Sequence, residues 1–148
     1  MHPIRYSVSP PYAKLTNLLR DGPASDEPTW IERMQGSARG IGYLTSVDGA
    51  TVITNRYEVL GFGAKIRRRD GCSVVEQVMV TEPVRGAKPH TVAPGDIGGT
   101  RHSSAAQFAH DQQDGLALVA SQDGHYTVFA WSDCEGMVQA HRIEALLL

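Results

Sequence analysis

The chain has 148 residues, with 14 lysines and arginines against 16 aspartates and glutamates for a formal charge of -2. That length suits one domain with a core of its own, needing neither disulfides nor metal to fold. Charge so near balance argues against electrostatic wrapping of nucleic acid or an anionic membrane surface, so any anion site must be local.

Residues 1–35 read as an N-terminal helical cap. A short helix over 12–20 is followed by DGPASDEP, whose proline, glycine and acidic residues do not continue it. The opening MHPIRYSVSPPYAKL lacks the apolar core of a signal peptide, and no stretch approaches the roughly 18 apolar residues of a membrane span. Cys72 and Cys134 have no C-x-x-C spacing, which argues against zinc and against a disulfide framework. A soluble protein in a reducing cytoplasm is expected.

Residues 36–148 form the main domain. Short runs rich in Val, Ile, Tyr and Thr predict strands over IGYLTSV (41–47), ATVIT (50–54), YEVLGFGAKI (57–66) and SVVEQVMV (73–80). Asn55-Arg56 and Arg69-Asp70-Gly71 are the reversals between them. A Pro- and Gly-rich loop, TEPVRGAKPHTVAPGDIGG (81–99), leads to a helix over 100–112, where Ala105, Phe108 and Ala109 recur at helical spacing and Thr100 is the expected N-cap. GLALVAS (115–121) is continuously apolar and predicts an inner strand buried on both faces, with QDG turning the chain into HYTVFAW (125–131). The final segment, MVQAHRIEALLL, leans towards strand. The fold class is α/β in the α+β sense, a mixed central β-sheet flanked by helices.

Three polar clusters fall beside these elements: Asp48-Gly49-Ala50, Thr100-Arg101-His102 and Ser121-Gln122-Asp123. A helix start after glycines offers bare N–H groups and partial positive charge, which suits a phosphate, and Arg101 adds a planar fork matched to phosphate oxygens. Asp48 and His102 are metal-competent, and Gly49 lets a ligand approach the backbone. Taken singly, each cluster has a plainer reading as a turn, a helix cap or a surface arginine. Arg67-Arg68-Arg69 beside Lys65 reads as a solvated tip. His102 and His110 are too far apart for an i, i+4 metal pair, and Ser104, Ser121 and Ser132 lack a nucleophile elbow.

The ordered combination of DGA, GTRH at a helix start and a strand ending in VASQDG resembles the diadenylate cyclase superfamily over roughly residues 41–131. With LGFGAKI and GGTRHSSAAQF added, the chain looks most like that superfamily's sensor branch, abbreviated DACNV. The resemblance implies a nucleotide site at Asp48, Gly49, Ala50, Gly99, Thr100, Arg101, His102, Ser103, Ser121 and Asp123. Within it, Asp48 and His102 would approach a Mg2+ or Mn2+ accompanying the nucleotide, Thr100 and Arg101 the phosphates, and Ser121 the nucleotide. Ser103 stands where active cyclases carry a second arginine, and Gln122 and Asp123 where they carry two glutamates. The resemblance with these departures implies a non-catalytic sensor of a nucleotide or cyclic dinucleotide, signalling to an attached or neighbouring effector and open to homodimerisation. The alternatives are an active cyclase making cyclic di-AMP from two ATP molecules, and a scaffold that has lost the ligand.

Overall fold

The computed structural model describes residues 27–56, 58–121 and 124–144. The helix expected over 12–20, the residues Gln122 and Asp123, and the end of the chain from 145 lie outside them. The chain divides into two compact units, one ending at Lys65 and the other starting at Ile66. Among the described residues they hold two helices, a two-stranded ribbon and a five-stranded mixed sheet, an α+β architecture. No helix among the described residues is long and apolar enough to cross a membrane.

The first unit comprises helix α1 (Glu27–Thr45) and strands β1 (Ala50–Ile53) and β2 (Val59–Ala64), paired antiparallel. Residues 41–45, expected as strand, are the last turn of α1; Tyr43 there is 72% exposed, so its β propensity finds no sheet to pack against. The reversal at Asn55-Arg56 is present. Thr54 Oγ1 accepts the Arg56 and Glu58 N–H groups, both at 3.1 Å. Gly49 holds a φ of 112°, and a Cβ there would stand 2.8 Å from Gly63 Cα. The ribbon itself therefore demands glycine at position 49.

The second unit comprises β3 (Val78–Thr81), β4 (His90–Val92), α2 (Pro94–Asp111), β5 (Leu116–Ala120), β6 (His125–Ser132) and β7 (Met137–Glu144). Its sheet runs β4-β3-β7-β6-β5, antiparallel except for the parallel pair of β3 and β7. Helix α2 packs on one face, where Ala105, Ala106 and Ala109 meet Val78, Val80, Val119, Phe129, Val138 and Ala140 in the core. Alanines leave little side chain between helix and sheet, so the backbones approach closely and Phe129 fills the remaining space, 0% exposed.

The sheet corrects several expectations. The hairpin of β5 and β6 is present, but β5 is an edge strand of the sheet, and Leu116 and Leu118 are 66% and 71% exposed. The apolar run reflects composition, while burial follows the two-residue alternation that turns only Ala117 and Val119 to the helix. The loop over 81–99 contains strand β4 and the first turn of α2. Of SVVEQVMV only residues 78–80 are strand. The preceding stretch is claimed by the helix, since the buried Gln107 accepts the Val75 N–H at 3.1 Å and donates to the Ser73 carbonyl at 3.0 Å. Arg69 to Cys72 forms a turn, the Cys72 N–H donating to the Arg69 carbonyl at 3.1 Å, without strands to either side.

Asp111 anchors the same stretch, accepting the Arg69 N–H at 2.7 Å and facing His110 Nδ1 and Gln107 Nε2, both at 2.9 Å. Burial pushes its carboxyl up. The hydrogen bonds from the Arg69 amide, His110, Gln107 and Cys72 together outweigh burial and hold the pKa below 3.8. A depressed folded pKa contributes stability above the unfolded value that is lost as pH falls through the folded one.

Two outcomes are expected. In chemical denaturation Phe129→Ala costs about 3–5 kcal/mol, whereas Leu118→Ala on the open face stays within about 0.5 kcal/mol. The melting-temperature gap between the parent and Asp111→Asn is full at neutral pH and narrows as pH is lowered below 3.8; a gap independent of pH would contradict the ionised anchor.

Candidate functional site

Helix α2 is interrupted. Gly98 (φ 178°, ψ 36°) and Gly99 (φ 74°, ψ -151°) depart from helical geometry, and the chain resumes as a helix at Thr100. Thr100 is thus the first helical residue, with Gly99 in the capping place expected for Thr100. A helix that starts afresh directs its first-turn amides and the positive end of its dipole towards the break.

His102, Ala105, Ala106 and Ala109 share one stripe of this helix, so the packing that buries the alanines also buries the imidazole, which is 4% exposed. His102 Nδ1 lies 2.9 Å from the Gly98 carbonyl oxygen. A carbonyl only accepts, so Nδ1 carries the hydrogen and donates it, while Nε2 has no partner among the described residues. The ring stands edge-on to Phe129, with centroids 5.9 Å apart and planes at 76°. A Cβ on Gly98 would fall within the imidazole, so glycine at 98 is a condition for His102 to lie there.

The floor follows from strand alternation. Phe129 faces the helix, hence Thr127 and His125 do too; on β7 Val138, Ala140 and Arg142 share that side, and on β5 Ala117 and Val119. The register aligns Val119, Thr127 and Arg142 in one row across three strands, next to the apolar row of Ala117, Phe129 and Ala140. The sheet face thus changes from apolar to polar beneath the helix start. A cleft of about 400 Å3 opens there, walled by Ile97 to His102 on the helix side and by Val119 to Ser121, His125, Thr127 and Arg142 on the sheet side.

Its charge is one-sided. Arg101 is exposed, with no carboxylate partner among the described residues, and Arg142 reaches Glu82 only at 3.4 Å. No carboxylate lines the cleft among the described residues; Asp96 lies in the helical turn before the break, outside the lining. Ser121 closes the β5–β6 turn by accepting the His125 N–H at 3.2 Å, which leaves its hydroxyl hydrogen to donate.

Of the residues expected from sequence, Gly99, Thr100, Arg101, His102 and Ser121 line this one cleft. Ser103 does not, because its Oγ donates to the Gly99 carbonyl at 3.2 Å. Asp48, Gly49 and Ala50 belong to the first unit, where Asp48 is exposed, and Asp123 lies outside the described residues. Among the described residues no three His, Cys, Asp or Glu side chains are grouped to hold a metal ion. His125, Thr127 and Arg142 are not among the residues expected from sequence; the two-residue alternation of HYTVFAW that includes the buried Phe129 is the signal that points to the first two.

No family model, no curated protein and no solved structure matches the chain.

The Gly98–His102 dependence is testable by a double-mutant cycle. Gly98→Ala is expected to destabilise the protein, and His102→Ala in the same chain to recover part of that loss, with a coupling of about 0.5–3 kcal/mol in denaturant titrations. Strictly additive effects would show that the two positions do not meet.

Proposed function

We propose that the cleft binds the phosphate of a nucleotide or cyclic dinucleotide and that the protein is a sensor, passing occupancy to an attached or neighbouring effector. The observation that carries this reading is the buried His102, fixed through Nδ1 with Nε2 unpartnered among the described residues, in a cleft flanked by Arg101 and Arg142 and lined by no described carboxylate. Nε2 is not an enclosed atom, so a ligand in the cleft can reach it. The helix start and the Arg101 guanidinium supply charge-assisted donors for phosphate oxygens. A volume of about 400 Å3 lies within the usual range for small-molecule sites. The resemblance of GGTRH and VASQDG to the diadenylate cyclase superfamily points the same way, and its sensor branch fits best.

Binding without turnover is the form proposed. Condensing two ATP molecules needs activation of a 3'-hydroxyl and neutralisation of charge building on the phosphates. Ser103, which replaces the second arginine of the cyclases this chain resembles, is turned into its own helix. The described cleft residues offer imidazole nitrogen and no carboxylate, which does not make a resident site for Mg2+ or Mn2+. Ground-state phosphate recognition requires neither.

Thermal-shift screening against ATP, GTP and cyclic dinucleotides is expected to find at least one stabilising ligand, by about 2.7 kcal/mol at 100 times its dissociation constant. Arg101→Ala should weaken that ligand by about 1.5–3 kcal/mol, while Arg68→Ala, on the exposed arginine run, should leave its affinity unchanged. Incubation with ATP and Mg2+ or Mn2+ should yield no cyclic di-AMP. Product that forms in proportion to protein and vanishes in Asp48→Asn would replace the sensor by a cyclase.

A further inference from the structure

We infer that the cleft takes a ligand with two phosphoryl groups, the first at the helix start beside Arg101 and the second on the strand floor at Arg142 and Thr127. The inference rests on the proposed phosphate site and extends it to the ligand's class. Arg101 is carried by the helix and Arg142 by the sheet, so the two guanidinium groups reach the cleft from opposing walls.

The floor has the marks of a second anchor. Thr127 is 2% exposed and lines the cleft, and nothing among the described residues hydrogen-bonds its hydroxyl. Strand register places it directly opposite Arg142, so hydroxyl and guanidinium form one cross-strand pair. Arg142 is held by Glu82, which follows the end of β3, the strand running parallel to β7. At 3.4 Å, with both side chains 39% exposed, that ion pair orients the guanidinium through Nη1 and leaves its other donors. One phosphoryl group is already served by Arg101 and the helix start. A second cation and an unclaimed hydroxyl on the facing wall match a second phosphoryl group. Two adjacent phosphates of a nucleoside diphosphate and the two phosphodiesters of a cyclic dinucleotide share this chemistry.

Isothermal titration of the full chain with AMP, ADP and cyclic di-AMP separates these sources, since AMP carries one phosphoryl group, ADP two adjacent and cyclic di-AMP two spaced apart. The expected result is that at least one two-phosphoryl ligand binds about tenfold or more tightly than AMP. Arg142→Gln should remove most of that advantage and leave AMP unchanged. Arg142→Lys, which keeps the charge and stem and guards against a folding defect, should lose several-fold for the two-phosphoryl ligand alone. Arg101→Gln should weaken all that bind. Failure of all three compounds to bind the parent would overturn the phosphate reading and this inference with it. AMP binding as tightly as both others, or Arg142→Gln weakening AMP as much as its two-phosphoryl counterpart, would overturn the second anchor and leave the first standing.

Discussion

The structure around the cleft depends on how closely an alanine-faced helix settles over Phe129. Ala105, Ala106 and Ala109 bring the α2 backbone down to the sheet, and the ring beneath them is fully enclosed. His102 occupies the next position of the same stripe towards the helix start. It is buried for the reason the alanines are, and its ring borrows the Phe129 edge as a packing partner. On the strands the equivalent change occurs one row further along, from Phe129 to Thr127 and from Ala140 to Arg142. Two independent periodicities, 3.6 on the helix and 2 on the strands, turn polar at the same level. The site is a continuation of the core in different chemistry, and its geometry inherits the core's rigidity.

The same helix also organises its other end. Gln107 and Asp111 take up backbone groups from Arg69, Ser73 and Val75 that a sheet ladder would otherwise satisfy. A valine-rich stretch is thereby held as non-strand chain, and the arginines at 67–69 are left exposed while the Arg69 amide is fixed. Buried backbone polar groups must find partners, and here a side-chain amide and a carboxylate are those partners.

These particulars mark how far the sequence was legible. The helix start at GGTRH, the hairpin of residues 116–132 and the strand at Met137 rest on local patterns, glycines before a helix and β-rich runs about a turn, and they form as expected. Residues 41–45 and 73–77 carry β-rich composition but lie in a helix and in a clamped loop, because propensity yields to whichever partner is at hand. Leu116 and Leu118 misled in the opposite direction, since an edge position is set by strand order and leaves no trace in the strand itself. Arg142 became a candidate only through register with Thr127, a relation between segments far apart in sequence. Ser103 adjoined the motif yet points into its own helix, which only backbone geometry reveals.

Strand order has a consequence for how the protein is made. β7, which joins β3 to β6, is the last of the described strands to be synthesised. The pairs β3–β4 and β5–β6 each join neighbouring sequence, but in the sheet they are connected only by residues 137–144, which lie between them. Until β7 is in place, the sides of β3 and β6 that it covers have no strand partner. Such long-range closure is slow, and unfilled edges invite mispairing meanwhile. A nascent chain stalled before Met137 would therefore lack Arg142, so the cleft lining and this sheet are completed together.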